Sequence, residues 1–315
     1  MRLSVVIPTH DTRGLTLACL ESPARGGLPD PSETEVLVVD DGSRDGTGAE
    51  VAARFPSVRL LRNEPAQGFT RAANRGLEEA RGDVLLLLNS DTEVEPGGLE
   101  ALLSRFDAEP RTGVVGAALH YPDGSPQWSG GEEPTLLWLF GLASGLPPLL
   151  ARLPLYRRAR PLAVPAGGPR SVGWVTGAAL AIRRAAWQDA GPLDERFRLY
   201  AQDLDLCLRA RQRGWEVKIE PELRVLHHHG ATIGRGAGAL GRQHPELLWS
   251  DLLRWASKHK GERWAARAGR AMRWGVLLRL AGRRLARPFL PASSREEGRA
   301  DDQALRNALK ALSSE

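Results

Sequence analysis

Three short apolar runs in the first third of the chain each end in a cluster of polar side chains. They are VVIPTH at Val5–His10, VVDDGS at Val38–Ser43 and LLLLNSDT at Leu85–Thr92. Runs of this length suit buried strands, and polar residues just past their tips suit the carboxyl end of a parallel sheet, where open α/β folds hold ligands. Stretches with helical periodicity separate them. Gly14–Leu20 is one, a segment from the Ser43-Arg-Asp-Gly-Thr caps to about Phe55 is another, and Gly68–Ala80 places Phe69, Ala72, Ala73, Leu77 and Ala80 on one face. Strands are predicted over Leu3–Pro8, Glu35–Asp40, Val58–Leu61, Asp83–Leu88 and Val114–Leu119, with a helix over Pro96–Phe106. This alternation predicts an α/β fold with a doubly wound, mostly parallel sheet.

The rhythm breaks over residues 120–172, which are rich in Pro, Gly and Trp. This stretch reads as a long irregular excursion over the sheet. Strand character returns over Val172–Arg183 and Glu216–Ile219, on either side of a helix at Gln202–Arg213, and His227–Thr232 closes the core. From Glu246 to Leu290 the pattern is helical, basic and Trp-rich. Ser293–Glu315 is polar and reads as one short helix or a disordered tail.

The two cysteines, Cys19 and Cys207, sit in apolar helical stretches and read as buried free thiols, not as a disulfide framework. The start MRLSVVIPTH reads as a first strand instead of a signal peptide, because its apolar run is short and meets a proline. No apolar stretch approaches the roughly 20 residues of a membrane span. A cytoplasmic location is expected. The formal net charge of +5 is uneven: residues 251–290 hold eleven Lys/Arg against two Asp/Glu, leaving the rest of the chain acidic.

Each polar cluster admits two readings from its residues alone. Asp40 and Asp41 can accept hydrogen bonds from a ribose or base, or can cap a turn. Asp91, after Asn89 and Ser90, can bind a hard divalent cation or cap a turn. Asp203 can act as a general base or cap its helix, while Asp205 is better placed to cap or to pair with Arg209 one turn on. The triplet His227–His229 offers a metal ligand or ordinary surface histidines. No Walker loop, Rossmann GxGxxG or hydrolase elbow is present, which counts against ATP, NAD and serine-hydrolase chemistry.

These residues, in this order, resemble the family 2 glycosyltransferases of GT-A fold, and among them the bacterial rhamnosyltransferase-like group. The resemblance runs from about Leu3 to Thr232 and is carried by VVIPTH, VVDDGS, GFTRAANRGLEEARGD, LLLLNSDT, YPDGSPQWSGG, VTGAALAIRR and AQDLDLCLRARQRGW. It implies inverting, metal-dependent transfer from a nucleoside-diphosphate sugar, such as dTDP-rhamnose or a UDP-sugar. The acceptor would be a hydroxyl of a glycan or lipid-linked molecule in cell-surface polysaccharide synthesis. It implies that Pro8, Thr9, Asp40, Asp41, Asn74, Ser90 and Asp91 line the nucleotide-sugar site. It implies that Asp91 and His227 bind Mg²⁺ or Mn²⁺, and that Asp203 is the catalytic base. The family's usual Glu before this base is Gln202 here, which removes a neighbouring negative charge and is expected either to lower the base's pKa or to alter acceptor contacts. A processive synthase is disfavoured, since those carry several membrane spans and a Q-x-x-R-W motif.

The expected organisation is a glycosyltransferase domain over 1–235, with a nucleotide-binding half at 1–119 and an acceptor-side half at 120–235. A basic helical region at 236–290 and a polar tail at 291–315 follow. The helical region admits peripheral contact with the inner face of a membrane, packing on the core, or packing on a second subunit as a homodimer. A basic helix alone is poor evidence for nucleic acid, which is not expected as a partner. The alternative function is a non-catalytic nucleotide-sugar or glycan-binding protein on the same fold. Gln202 is the only feature that hints at it.

Overall fold

In a computed structural model of the full chain, residues 1–26, 30, 32–146, 149, 152–153, 168–228, 244–289 and 292–314 are described. Two compact units emerge. The first comprises Met1–Gly131, Pro161–Arg198 and Gln202–His229; the second comprises Glu132–Arg160, Leu199–Ala201 and Gly230–Glu315.

The first unit is built on the apolar runs. In chain order its elements are β1 (Leu3–Thr9), α1 (Arg13–Gly26), β2 (Thr34–Asp40), α2 (Thr47–Arg54), β3 (Arg59–Arg62), α3 (Phe69–Glu79), β4 (Val84–Leu88), β5 (Thr92–Val94), α4 (Gly98–Ala108), β6 (Thr112–His120) and β7 (Gly130–Gly131). The second unit interposes α5 (Leu136–Ser144). The first then resumes with β8 (Arg170–Ser171), β9 (Trp174–Val175), β10 (Ala179–Arg183), α6 (Arg184–Ala190), α7 (Gln202–Gln212) and β11 (Glu216–His227).

The main sheet runs β3-β2-β1-β4-β10-β6-β11-β5, with β8 on β11. Pairs β1–β2, β1–β4, β2–β3 and β6–β11 are parallel, while β10 and β5 run against their neighbours. Side chains alternate between two buried cores. Val5 and Ile7 of β1 face Cys19 of α1, Val51 of α2 and Leu102 and Phe106 of α4. Val6 faces the other way, toward Ala72, Ala73 and Leu77 of α3 and Leu206 and Cys207 of α7. Helices therefore cover both faces, as the doubly wound reading required. Close packing is enforced at Gly76, where an added Cβ would lie 2.3 Å from Val6 Cγ1 and 2.9 Å from Val39 Cγ2.

Several sequence readings are revised. Pro96 lies before the N-cap Gly97 of α4, outside the helix. The caps proposed for α2 resolve to Gly46, in a left-handed conformation with φ 86°. Asp45 Oδ1 accepts from Thr47 N at 3.0 Å. β11 is longer than Glu216–Ile219 because irregularities after Glu216 and Glu220 let it bend and go on to pair with both β6 and β5. Strand β5 was not foreseen, since three residues carry too little pattern. The proposed closing segment His227–Thr232 is described only as far as His228.

The second unit is helical: α5, α8 (Pro245–Lys260), α9 (Glu262–Ala286) and α10 (Ala292–Ser314). Helix α5 falls inside the stretch read as irregular. Its sequence LLWLFGLAS is apolar all round and so lacks an amphipathic signature. Residues 154–167 of that stretch lie outside the described residues. Helix α9 crosses α5 at small residues: an added Cβ on Gly275 would meet Phe140 O at 2.8 Å and Ser144 N at 2.9 Å. The polar tail is a 23-residue helix, not a short one, and Leu305, Ala308 and Leu312 are buried along one side. Arg283 of α9 bonds Asp302 at 2.7 Å and lies 3.5 Å from Asp301.

Candidate active site

The polar clusters converge at the carboxyl ends of β1, β2 and β4. Thr9 Oγ1 contacts the hydroxyls of Thr12 at 2.8 Å and Thr16 at 2.6 Å, and Thr12 in turn contacts Ser90 at 3.1 Å. This hydroxyl chain stitches the β1 tip to the β4 tip. Pro8, beside Thr9, pairs with Val39 within the sheet.

The two aspartates of the β2 tip differ in role. Asp40 is fully buried, accepts from Ser43 N at 2.8 Å and pairs with Arg62 at 2.9 Å. One oxygen thus serves the turn that follows and the other the end of the neighbouring strand β3. Asp41 reaches the next loop: it accepts from Asn63 Nδ2 at 2.7 Å, Gln67 N at 2.8 Å and Gly68 N at 2.7 Å. It thereby fixes the loop that leads into α3. Asn74 of α3 is committed at both ends of its amide to the backbone of Leu193, at 2.9 Å each. Its amide therefore ties α3 to the turn before α7.

Asp91 and His227 face each other across the sheet edge, His227 Nε2 lying 3.5 Å from Asp91 Oδ1. The main chain draws them together, since His228 N donates to Asp91 O at 2.9 Å and His227 pairs with Thr92 in the β11–β5 ladder. Gln127 sets the imidazole. Its Nε2 donates to the carbonyls of His227, at 2.6 Å, and His120, at 3.2 Å, so its Oε1 accepts from His227 Nδ1 at 2.9 Å. The Nε2 lone pair then points to the Asp91 side. A nitrogen and a carboxylate so disposed, with the outer ring nitrogen held by hydrogen bonding, fit a divalent cation. Asn89 Oδ1, two residues before Asp91, is buried with no hydrogen-bond partner among the described residues. Within those residues no group of three or more His, Cys, Asp or Glu is arranged as a closed metal cage. A cation held here would complete its shell with substrate or water oxygens.

Asp203 enters the first turn of α7 and is joined to the same end of the sheet by two hydrogen bonds. Its Oδ2 accepts from Gly177 N at 2.8 Å, and the next residue, Ala178, accepts from Asn89 N at 2.9 Å. Oδ1 accepts from Leu204 N at 2.8 Å. Burial pushes the Asp203 carboxyl above the ordinary value, and the amides of Gly177 and Leu204 only partly offset this. The upward shift opposes the downward effect expected of Gln202. Asp205 pairs with Arg209 at 2.8 Å, as its spacing indicated.

Two further residues gain a role only in the fold. Gln127 lies in the motif YPDGSPQWSGG, yet only the fold puts it beside His227. Asp251 of α8 gave no local signal at all. Fully buried in the second unit, it accepts from the amides of Leu199 at 3.2 Å and Tyr200 at 3.1 Å and from Arg254 at 2.5 Å. Tyr200 Oη accepts from His244 N at 3.2 Å. Leu199 and Tyr200 lead through Ala201, whose φ of 64° is rare for a residue with a side chain, directly into Gln202 and Asp203.

The sheet order, with its antiparallel β10 inserted beside β4, and the polar cluster at the strand tips define a GT-A glycosyltransferase fold. The same architecture occurs in the mannosyltransferase PcManGT from Pyrobaculum calidifontis, at a TM-score of 0.60 and 17% identity over 99% of this chain and 86% of that one. It occurs also in S. aureus TarS 1-349, at a TM-score of 0.55 and 17% identity over 99% and 81%. The family model described as glycosyl transferase family 2 matches residues 4–163. The chain is 34% identical to the N-acetylglucosaminyl-diphospho-decaprenol L-rhamnosyltransferase of Mycobacterium tuberculosis over 271 residues, 80% of this chain and 86% of that protein. It is 29% identical over 238 residues to the O-antigen biosynthesis protein RfbC of Myxococcus xanthus, covering 73% of this chain and 18% of that one. The chain belongs to glycosyltransferase family 2 and is a glycosyltransferase of the rhamnosyltransferase-like group.

Proposed function

We propose that the enzyme transfers a sugar, with inversion at the anomeric carbon, from a nucleoside-diphosphate donor to a hydroxyl of a lipid-linked glycan acceptor in cell-surface polysaccharide synthesis. The donor we favour is dTDP-rhamnose, ahead of a UDP-sugar. The likeness to a rhamnosyltransferase named for a diphospho-decaprenol acceptor supports the class of donor and acceptor. The M. xanthus O-antigen protein supports the setting. Such an acceptor places the work at the inner face of a membrane, with the enzyme peripheral to it.

The observation that carries the mechanism is Asp203. Its half-buried carboxylate, held by two backbone amides at the sheet end that bears Asp91, is poised to take a proton from the acceptor hydroxyl. The deprotonated oxygen then attacks the anomeric carbon as the bond to the diphosphate breaks. Thr9, Ser90 and Asp41, with Pro8 and Asp40 supporting the strand tip, hold the nucleotide part, and Asn74 holds the wall of that pocket through Leu193. Asp91 and His227 hold Mg²⁺ or Mn²⁺, which when bound neutralises charge growing on the leaving diphosphate. A Mn²⁺ ion accompanies GDP-Man in the Pyrobaculum enzyme, which supports this cofactor class.

The test is to incubate the purified protein with dTDP-rhamnose, UDP-sugars and GDP-sugars, with and without Mn²⁺. Release of one nucleoside diphosphate, and the anomeric configuration of the product by NMR, are then measured. Metal-dependent turnover with inversion is expected. Retention of configuration, or full activity in EDTA, would overturn the proposal.

A further inference from the structure

Helix α9 presents a face that no described residue covers, with an unusual division of chemistry along its length. Its inner face is buried through Ala265, Ala268, Gly269, Met272, Gly275 and Val276. The outward face begins with Arg263, Arg267 and Arg270, all exposed, with Arg273 beside them. Further along, the same face becomes apolar: Trp274 is 68% exposed and Leu285 75%, with Leu277 and Leu278 between them, and Phe289, 87% exposed, follows in the short 3-10 turn Arg287–Phe289 that ends the helix. Five large hydrophobic side chains on one exposed helical face exceed the scattered exposure usual on a protein surface.

The charge on this helix selects the partner. Seven arginines stand against one acid, Glu262. Arg283 is used internally on Asp301 and Asp302, and Arg279 lies against Gly145, about 3 Å from an added Cβ there. The remaining five, Arg263, Arg267, Arg270, Arg273 and Arg284, are exposed and make no ion pair among the described residues. An apolar surface of another protein copy would leave this cationic half without a counter-charge. A bilayer with anionic headgroups satisfies both halves, since tryptophan, leucine and phenylalanine enter the acyl boundary while guanidinium groups meet phosphates. No described helix is long and apolar enough to cross a membrane, so the contact is interfacial.

We infer that the outward face of α9 and of the 3-10 turn that ends it, from Arg263 to Phe289, is a docking surface for an anionic phospholipid bilayer. The inference stands on the helix itself; a lipid-linked acceptor would give it a purpose but is not required for it.

The experiment is co-sedimentation of the full chain with phosphatidylcholine vesicles, with and without phosphatidylglycerol, at low and high salt. Neither donor nor acceptor is added, so the outcome is separate from the catalytic proposal. Binding is expected only to phosphatidylglycerol vesicles and to weaken with salt. A Leu285→Gln/Phe289→Gln variant should weaken it about tenfold or more. An Arg263→Gln/Arg267→Gln/Arg270→Gln variant should weaken it and flatten its salt dependence. All these side chains are exposed, so folding is checked by an unchanged melting temperature. Absence of wild-type binding at low salt, or equal binding by wild type and both variants, would overturn the inference. So would a wild-type dimer in light scattering that the Leu285/Phe289 variant dissolves without any vesicle binding, because a second copy would then cover the face.

Discussion

His227 Nε2 lies 3.5 Å from Asp91 Oδ1, and the orientation of its ring is dictated by Gln127, a residue one hundred positions earlier. A hydrogen-bonded outer nitrogen fixes the tautomer and sharpens the inner one as a ligand. Gln127→Ala should therefore weaken Mn²⁺ binding by about 10–100-fold while leaving the proposed ligands Asp91 and His227 in place. His227→Ala should weaken it at least as much. Manganese titrations followed by electron paramagnetic resonance, in the presence of the preferred nucleoside diphosphate, measure both. Unchanged affinity in Gln127→Ala would show that the amide merely braces β11.

Asp203→Asn should abolish transfer and leave nucleotide binding within a few fold, because the side chain keeps its size but cannot take a proton. Single-turnover transfer and calorimetric binding separate the two effects. Loss of both together would mark Asp203 as structural.

The pH dependence follows from the upward shift at Asp203. The base works only when ionised, so kcat should fall on acidification with a midpoint above the ordinary aspartate value of about 4. Stability carries the opposite sign. A carboxyl whose folded value is raised costs the fold nothing below its unfolded value. That cost appears as pH rises through the folded value. An acid limb of kcat at or below pH 4 would contradict the burial effect.

Asp251→Ala should lower kcat more than it raises the donor KM, because the carboxylate holds the amides of Leu199 and Tyr200 immediately before the α7 helix that carries Asp203. Removing it also takes an acceptor from Arg254 and from the half-buried amides of Leu199 and Tyr200, at a cost of about 1–3 kcal/mol. Denaturant titration reads that cost. Equal changes in kcat and stability for Asp251→Asn and Asp251→Ala would argue for a purely structural part.

Ala201 offers a test of backbone strain. At φ 64° it forgoes about 1–2 kcal/mol that glycine would not. Ala201→Gly should therefore stabilise the protein by up to about 1 kcal/mol after the added freedom of the unfolded chain is subtracted. Ala201→Val should destabilise it. Guanidinium unfolding of the pair gives the sign directly.

The fold was legible where hydrophobic periodicity was strong. The strands ending at Thr9, Asp40 and Leu88 and the helix bearing Ala72, Ala73 and Leu77 are where the pattern put them, because each buries a face whose period matches its backbone. Elements without a period of their own were invisible. Three-residue β5 exists only because β11 bends to meet it, and α5 is uniformly apolar. The candidate site divides similarly. Residues at strand tips announce themselves by position, so Thr9, Asp41 and Asp91 could be listed from the chain alone, as could Asp203 at the start of its helix. What each carboxylate does depends on partners distant in sequence. Asp40 and Asp41 are adjacent and chemically identical, yet one turns inward to Ser43 and Arg62 and the other outward to Gln67 and Gly68. Asn74 is likewise tied to Leu193, a contact across 119 positions.

Cys19 and Cys207 are both fully buried, and burial pushes each thiol up to about 12. At neutral pH neither supplies appreciable thiolate, the species that reacts with alkylating reagents. A single cysteine introduced on an exposed position of α9 would thus be the one site to take up a maleimide dye or spin label. The native chain is in effect already a cysteine-silent background, ready for measurements of depth and distance that most enzymes allow only after their own cysteines have been removed.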